Sequence, residues 1–139
     1  MVHELRHRDG IASLSFVAQQ TDGTVVGHII CSNAVIKKGE QILPVLNFGP
    51  LSVLPEYQRQ GVGKTLVRTM IEQAKKLGYG AILFFGRPEY YPQFGFRDAA
   101  LYGISDSEGY NYPAFMAMEL KAGYLNDIRG GKYFESDIY

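Results

Sequence analysis

The sequence predicts an α/β domain in which a mixed, mostly antiparallel sheet is flanked by helices, and three observations carry that expectation. Apolar residues fall into strand-like segments through residues 11–53, joined by short glycine turns. The period then changes. Gly63, Leu66, Val67, Met70, Ile71, Ala74 and Leu77 recur at three- and four-residue spacing, the pattern of an amphipathic helix. A continuous apolar run, Ala81-Ile82-Leu83-Phe84-Phe85, follows at once, as in a strand buried on both faces. A strand, a helix and a strand in succession imply a right-handed parallel crossover.

Taken in order, residues 11–19 set Leu14, Phe16 and Ala18 on one face and Ser13, Ser15 and Val17 on the other, a period-two strand. Thr21-Asp22-Gly23-Thr24 is a hairpin turn of the Asp-Gly sort. Residues 25–36 make a second strand, and Lys37-Lys38-Gly39-Glu40 turns the chain again. Residues 42–53 make a long third strand. Pro44 and the Gly49-Pro50 pair are expected to interrupt it, because proline has no donor for a ladder. The helix begins around Gly61, and Gly78 suits a left-handed cap at its end. Residues 80–85 are the buried strand. Residues 89–94 form a short helix after Pro88, and residues 113–120 a late strand. The tail, residues 121–139, is polar and aromatic and is assigned no element.

The 139 residues are read as one domain, 1–139, large enough to bury a core without staples. Fourteen basic residues balance fourteen acidic ones, so the basic excess of a sequence-independent nucleic-acid binder is missing, and no such partner is expected. One cysteine, Cys31, excludes a disulfide framework and a cysteine metal site; no metal is expected. Within its apolar run Cys31 reads as a small hydrophobe rather than a reactive thiol. The polar start, Met1-Val2-His3-Glu4-Leu5-Arg6-His7-Arg8, does not read as a signal peptide, and no apolar stretch reaches membrane-spanning length. A reducing, cytoplasmic setting is the default expectation.

The chemistry is expected where the third strand meets the helix, in Leu51-Ser52-Val53-Leu54-Pro55-Glu56-Tyr57-Gln58-Arg59-Gln60-Gly61-Val62-Gly63-Lys64. The first turn of a helix leaves backbone N–H groups without partners, and the helix dipole adds partial positive charge, so phosphate binds there. Glycines at 61 and 63 let a ligand approach the backbone, and Arg59 and Lys64 bring cations. A P-loop is excluded, because position 58 is Gln58 where its first glycine belongs. The dinucleotide fingerprint is excluded by Leu66 in place of a third glycine. The plain alternative is a glycine-tolerant helix start with no ligand.

Gln58-Arg59-Gln60-Gly61-Val62-Gly63 resembles the Gln/Arg-x-x-Gly-x-Gly/Ala signature of the GNAT superfamily of N-acetyltransferases. A second block, Tyr90-Tyr91-Pro92-Gln93-Phe94-Gly95-Phe96, is similar to that family's aromatic-Tyr-x-x-x-Gly-Phe segment. The resemblance runs from about the second strand to Leu120, and the form from Arg87 to Phe96 is most similar to small predicted bacterial members. It implies acetyl-CoA as co-substrate, with the pyrophosphate on the turn of Gln58, Arg59, Gln60, Gly61, Val62, Gly63 and Lys64. It also implies that Leu51, Ser52 and Val53 pair with the pantetheine arm, and that Tyr91 is the acid that protonates the leaving thiolate. Tyr90 is expected to be packing. Chains of that family usually begin with a strand and one or two helices that help form the acceptor pocket. This chain is expected to be short there, its acceptor pocket open, or completed by the tail or by a second copy in a homodimer.

Acetyl transfer to an amine needs a polarised carbonyl, a neutral amine and a proton for the thiolate. A backbone N–H near Val53 suits the first need, and the Tyr91 phenol the last. No base is evident: residues 42–53 carry no carboxylate, and His28 sits among apolar residues as a core histidine would. Asn47 and Ser52 are residues that could orient a water in its place. The expected activity is acetyl transfer to a primary amine of a small molecule or peptide. A non-catalytic acyl-CoA-binding module is the alternative, and an ATP-type site is a weaker third.

Overall fold

In the computed structural model, which describes residues 2–7, 13–19 and 22–135, an eight-stranded mixed sheet organises the chain. β1 (Val2–His7), β2 (Ser13–Gln19), β3 (Val25–Lys38) and β4 (Gln41–Val53) run as an antiparallel meander. α1 (Val62–Lys76) carries the chain to β5 (Ala81–Phe85), which lies parallel to β4 at Leu46↔Ile82. The two-residue β6 (Arg97–Asp98) and β7 (Phe115–Glu119) complete the far edge in the order β5, β7, β6. β8 (Lys132–Phe134) returns to pair with Val35–Lys37 of β3, beyond the point where β2 stops accompanying it at Ser32.

Two apolar layers hold the sheet. α1 turns Leu66, Val67, Met70 and Ala74 onto Val26, Ile29, Leu46 and Ile82. On the opposite face Ala34, Val45, Leu83 and Phe115 are covered by Ile104, Leu125, Ile128 and Tyr133 from the C-terminal segment. Each large side chain buried in this way contributes about 1.5–3 kcal/mol. α1 ends where its pattern ends: Gly78 takes φ 90°, and its N–H donates to Lys75 O at 3.1 Å. At its other end the helix sits close on β3, because a Cβ at Gly27 would lie 2.8 Å from Val62 Cγ1 and 2.9 Å from Leu66 Cδ1.

β4 contains an irregularity that matters below. Cys31 pairs with Phe48 but Ile29 pairs with Leu51, so β4 carries one residue more than β3 across that interval. Strand side chains alternate, and the extra residue reverses the alternation. Even-numbered Leu46 and odd-numbered Leu51 and Val53 therefore share the α1 face, with Leu43 and Val45 on the other.

Several expectations need adjustment. β4 is continuous through Pro44, which pairs with Val35 and whose carbonyl accepts a hydrogen bond from Tyr124 Oη at 2.7 Å. The irregularity expected at Gly49-Pro50 is there, as the bulge between Phe48 and Leu51. The helix expected at 89–94 is a 3₁₀ turn, Tyr91–Phe94, closed by Gly95 at φ 106°. The polar start, given no element, is strand β1, and the tail supplies β8. Residues 11, 12 and 21 and residues 136–139 of the tail lie outside the described residues.

Candidate functional site

The turn between β4 and α1 is fixed by its own side chains. Gln58 Nε2 donates to Val53 O at 3.1 Å, tying the turn to the strand end, and Gln60 Nε2 donates to Glu56 O at 2.8 Å. Between them Arg59 adopts φ 64°, the one positive φ of a non-glycine among the described residues. Left-handed backbone at such a residue costs on the order of 1–2 kcal/mol and persists where the surroundings over-determine it. Gly61 follows at φ 84° as the residue before the helix. The first helical bond is Thr65 N–H to Gly61 O at 3.0 Å. The N–H groups of Val62, Gly63 and Lys64 therefore precede the helical ladder and form its partially positive end.

That end opens into a cleft of about 750 Å³. Leu51, Val53, Gly61 and Gly63 line it from the strand and the helix start, and Gln58 from the turn. Arg59, Lys64, Arg87 and Tyr90 complete the lining, and none of the described lining residues is a carboxylate. The two glycines serve different ends. A Cβ at Gly61 would meet nothing within 4 Å, so its requirement is the positive φ. A Cβ at Gly63 would project toward Tyr90 Oη at 3.4 Å, Leu51 Cδ2 at 3.7 Å and Val53 Cγ2 at 3.8 Å, so there the missing side chain is what leaves space.

The remaining residues named from the sequence are placed elsewhere. Ser52 alternates away from Leu51 and Val53 and, with His28 across the β3–β4 ladder, lines a smaller hollow of about 170 Å³. Gln60 is occupied with Glu56 O, and Val62 is 1% exposed in the core beneath the helix start. Tyr91 is 8% exposed and does not line the cleft; its ring meets Phe84 edge-on at 4.7 Å. Burial, then the neighbouring Tyr90, pushes the Tyr91 phenol above its ordinary pKa, with Arg87 acting in the opposite sense. The phenol thus holds its proton throughout the physiological range.

Arg87 and Tyr90 are cleft residues that the sequence reading did not place there. The Arg87 guanidinium lies 5.4 Å from the Tyr90 ring centroid, a cation–π arrangement that keeps both on the same wall. The available signal was position: Arg87 follows β5 by two residues, as the glycine turn follows β4. Cys31 is fully buried, and burial pushes its thiol up to about 12, which leaves it without thiolate near neutrality. Among the described residues no group of His, Cys, Asp and Glu is arranged to hold a metal ion, and no helix is long and apolar enough to cross a membrane.

Residues 9–98, more than half of the chain, match the family model described as an acetyltransferase (GNAT) domain. The uncharacterized N-acetyltransferase YjhQ of Escherichia coli strain K12 is 37% identical over 81% of this chain, which spans 59% of the length of that relative. Among solved structures, the GNAT family N-acetyltransferase YhbS from Escherichia coli in complex with CoA superposes with a TM-score of 0.77 at 29% identity, over 91% of this chain and 70% of that one. A GNAT family acetyltransferase from Brucella melitensis in complex with acetyl-CoA gives a TM-score of 0.58 at 31% identity, over 76% of this chain and 57% of that one.

Proposed function

Because the chain belongs to the GNAT acetyltransferase family, we propose that it transfers an acetyl group from acetyl-CoA to a primary amine of a small molecule or peptide. The observation that carries this reading is the cleft itself. A helix start freed of side chains at Gly61 and Gly63 is surrounded by Arg59, Lys64 and Arg87, with the end of β4 leading away from it. This suits a ligand with phosphates at one end and a neutral arm at the other. The CoA and acetyl-CoA bound by the two structural relatives are ligands of that kind.

Acetyl-CoA supplies an activated thioester when bound. In this reading the N–H groups of the Gly61–Lys64 turn, with Arg59, Lys64 and Gln58, hold the pyrophosphate. Leu51 and Val53 flank the pantetheine arm, Ser52 extends the same backbone edge, Gln60 braces the turn through Glu56 O, and Val62 anchors it from beneath. A main-chain N–H near Val53 donates to the carbonyl oxygen of the thioester. The amine nitrogen forms the new C–N bond as the C–S bond breaks. Tyr91 gives its proton to the departing sulfur, and the amine proton leaves to water. Tyr90, on the cleft wall, contacts the ligand without a proton-transfer role.

One observation favours a second reading, an acyl-CoA-binding module without turnover: Tyr91 lies off the cleft, and no carboxylate lines it among the described residues. Incubating the full chain with acetyl-CoA and a panel of primary amines, and following CoA release, separates the two. Amine-dependent release supports transfer. Binding of acetyl-CoA with no release for any amine supports the module.

A further inference from the structure

The cleft carries more positive charge than a diphosphate alone requires. Arg59, Lys64 and Arg87 all line it, and no described lining residue is a carboxylate. The main-chain N–H groups of the turn, with Arg59 and Lys64, match the two charges of a diphosphate. Arg87 is a third cation in the same cavity. Its partner among the described residues is the Tyr90 ring, and Glu89, two residues on, forms no ion pair with it.

The backbone fixes where Arg87 stands. Gly86 N–H donates to Ala114 O at 2.9 Å, and Arg87 O accepts from the N–H groups of Tyr90 at 3.1 Å and Tyr91 at 3.3 Å. Pro88 sets the next φ. The exposed side chain then lies on the Tyr90 ring, which restricts its rotamers and leaves the donors of the guanidinium to solvent and ligand. The Tyr90 hydroxyl reaches the helix start, 3.4 Å from where a Cβ of Gly63 would be, while the ring carries Arg87. This cation thus stands beside the phosphate turn and is not part of it.

CoA has a third phosphate. The 3′-phosphate on its ribose is a monoester with about −1.5 to −2 charge near pH 7, joined to the diphosphate through one sugar ring. We infer that Arg87 recognises this 3′-phosphate, through paired N–H donors of its guanidinium, and so selects CoA esters over those that lack it. The inference rests on the acetyl-CoA reading above. Arg68 supplies a contrast. Its guanidinium also lies against an aromatic ring, 5.8 Å from the centroid of Phe94, but it does not line the cleft.

The test is calorimetric titration of the full chain with CoA and with 3′-dephospho-CoA, for the wild type, Arg87→Met, Lys64→Met and Arg68→Met. The wild type is expected to bind CoA about tenfold more tightly than 3′-dephospho-CoA, the size of one charge-assisted contact. Arg87→Met is expected to lose about tenfold in CoA affinity and to bind 3′-dephospho-CoA within twofold of the wild type, so that the preference disappears. Lys64→Met, beside the diphosphate, is expected to weaken both ligands equally, and Arg68→Met to keep the preference. Should Arg87→Met not fold, Arg87→Gln carries the same comparison. A wild type that binds both ligands equally overturns the inference. So does an equal loss of both in Arg87→Met, which would set Arg87 on the diphosphate. A preference lost in Lys64→Met or Arg68→Met overturns it too, by assigning the 3′-phosphate to another cation. A wild type that binds neither ligand overturns the acetyl-CoA reading itself.

Discussion

The Tyr90 hydroxyl overhangs Gly63: a Cβ built on that glycine would come within 3.4 Å of Tyr90 Oη. The helix start and the wall that faces it therefore meet at the one position where the helix has no side chain. Gly63→Val would fill this space with two methyl groups beside Leu51 and Val53. The helix itself tolerates the exchange, since Gly63 lies inside α1. The expected result is a folded protein whose acetyl-CoA affinity, read by calorimetry, falls more than about tenfold, or 1.4 kcal/mol. Unchanged affinity would place the ligand elsewhere.

The adjacent tyrosines separate by kinetics. Tyr91→Phe is expected to lower kcat by about a hundredfold while leaving acetyl-CoA binding intact, as loss of a positioned acid does. Tyr90→Phe, altering a group on the cleft wall, is expected to weaken acetyl-CoA binding a few-fold with kcat retained. The reverse assignment of effects would make Tyr90 the donor.

Gly86 is required by packing. A Cβ there would stand 2.5 Å from Phe84 Cε2 and 2.7 Å from Tyr91 Cε2. Gly86→Ala should therefore displace the Tyr91 ring and destabilise the fold by about 1–3 kcal/mol, the usual size of overpacking. Thermal melting measures it, and an unchanged midpoint would show that the ring moves freely.

Stability should fall in alkali. Burial raises the Cys31 thiol from its usual 9.0 to about 12, and Tyr91 and Tyr133 are raised from 10.0 in the same sense. These groups keep their protons in the folded chain and release them more readily when unfolded. Their contribution is complete below pH 9 and is lost as pH climbs through the folded values. Cys31→Ala removes the thiol share, so its unfolding free energy should drop less between pH 8 and pH 11 than that of the wild type. Equal drops would contradict the burial argument.

What the sequence displayed and what it hid follow from distance along the chain. The period change at Gly63, the αL glycine at 78 and the apolar run after it are local signals, and they located α1 and β5 to within a residue or two. Residues of the glycine turn were legible because one short segment supplies both the strand end and the helix start. β8 was not, since Lys132, Tyr133 and Phe134 become a strand only by pairing with Val35, Ile36 and Lys37 almost a hundred residues earlier. The irregularity of β4 was marked by Gly49-Pro50, but that it inserts one residue and reverses the alternation is seen only in the register against β3. Alternation turns the Ser52 side chain from the cleft, so what it offers the ligand is its main chain, as an edge-pairing role requires. Which of Tyr90 and Tyr91 faces that cleft depends on the 3₁₀ turn and the bare Gly86 beside it, neither of which two adjacent tyrosines reveal.

The most direct test of the central claim is a calorimetric titration of acetyl-CoA into the full chain, with ATP and NADH as controls and Gly61→Glu alongside. Selective binding of acetyl-CoA by the wild type, weakened at least about tenfold when a carboxylate is set beside the helix start, is the expected result. Binding no tighter than that of the controls, or a folded Gly61→Glu variant with undiminished affinity, would contradict it.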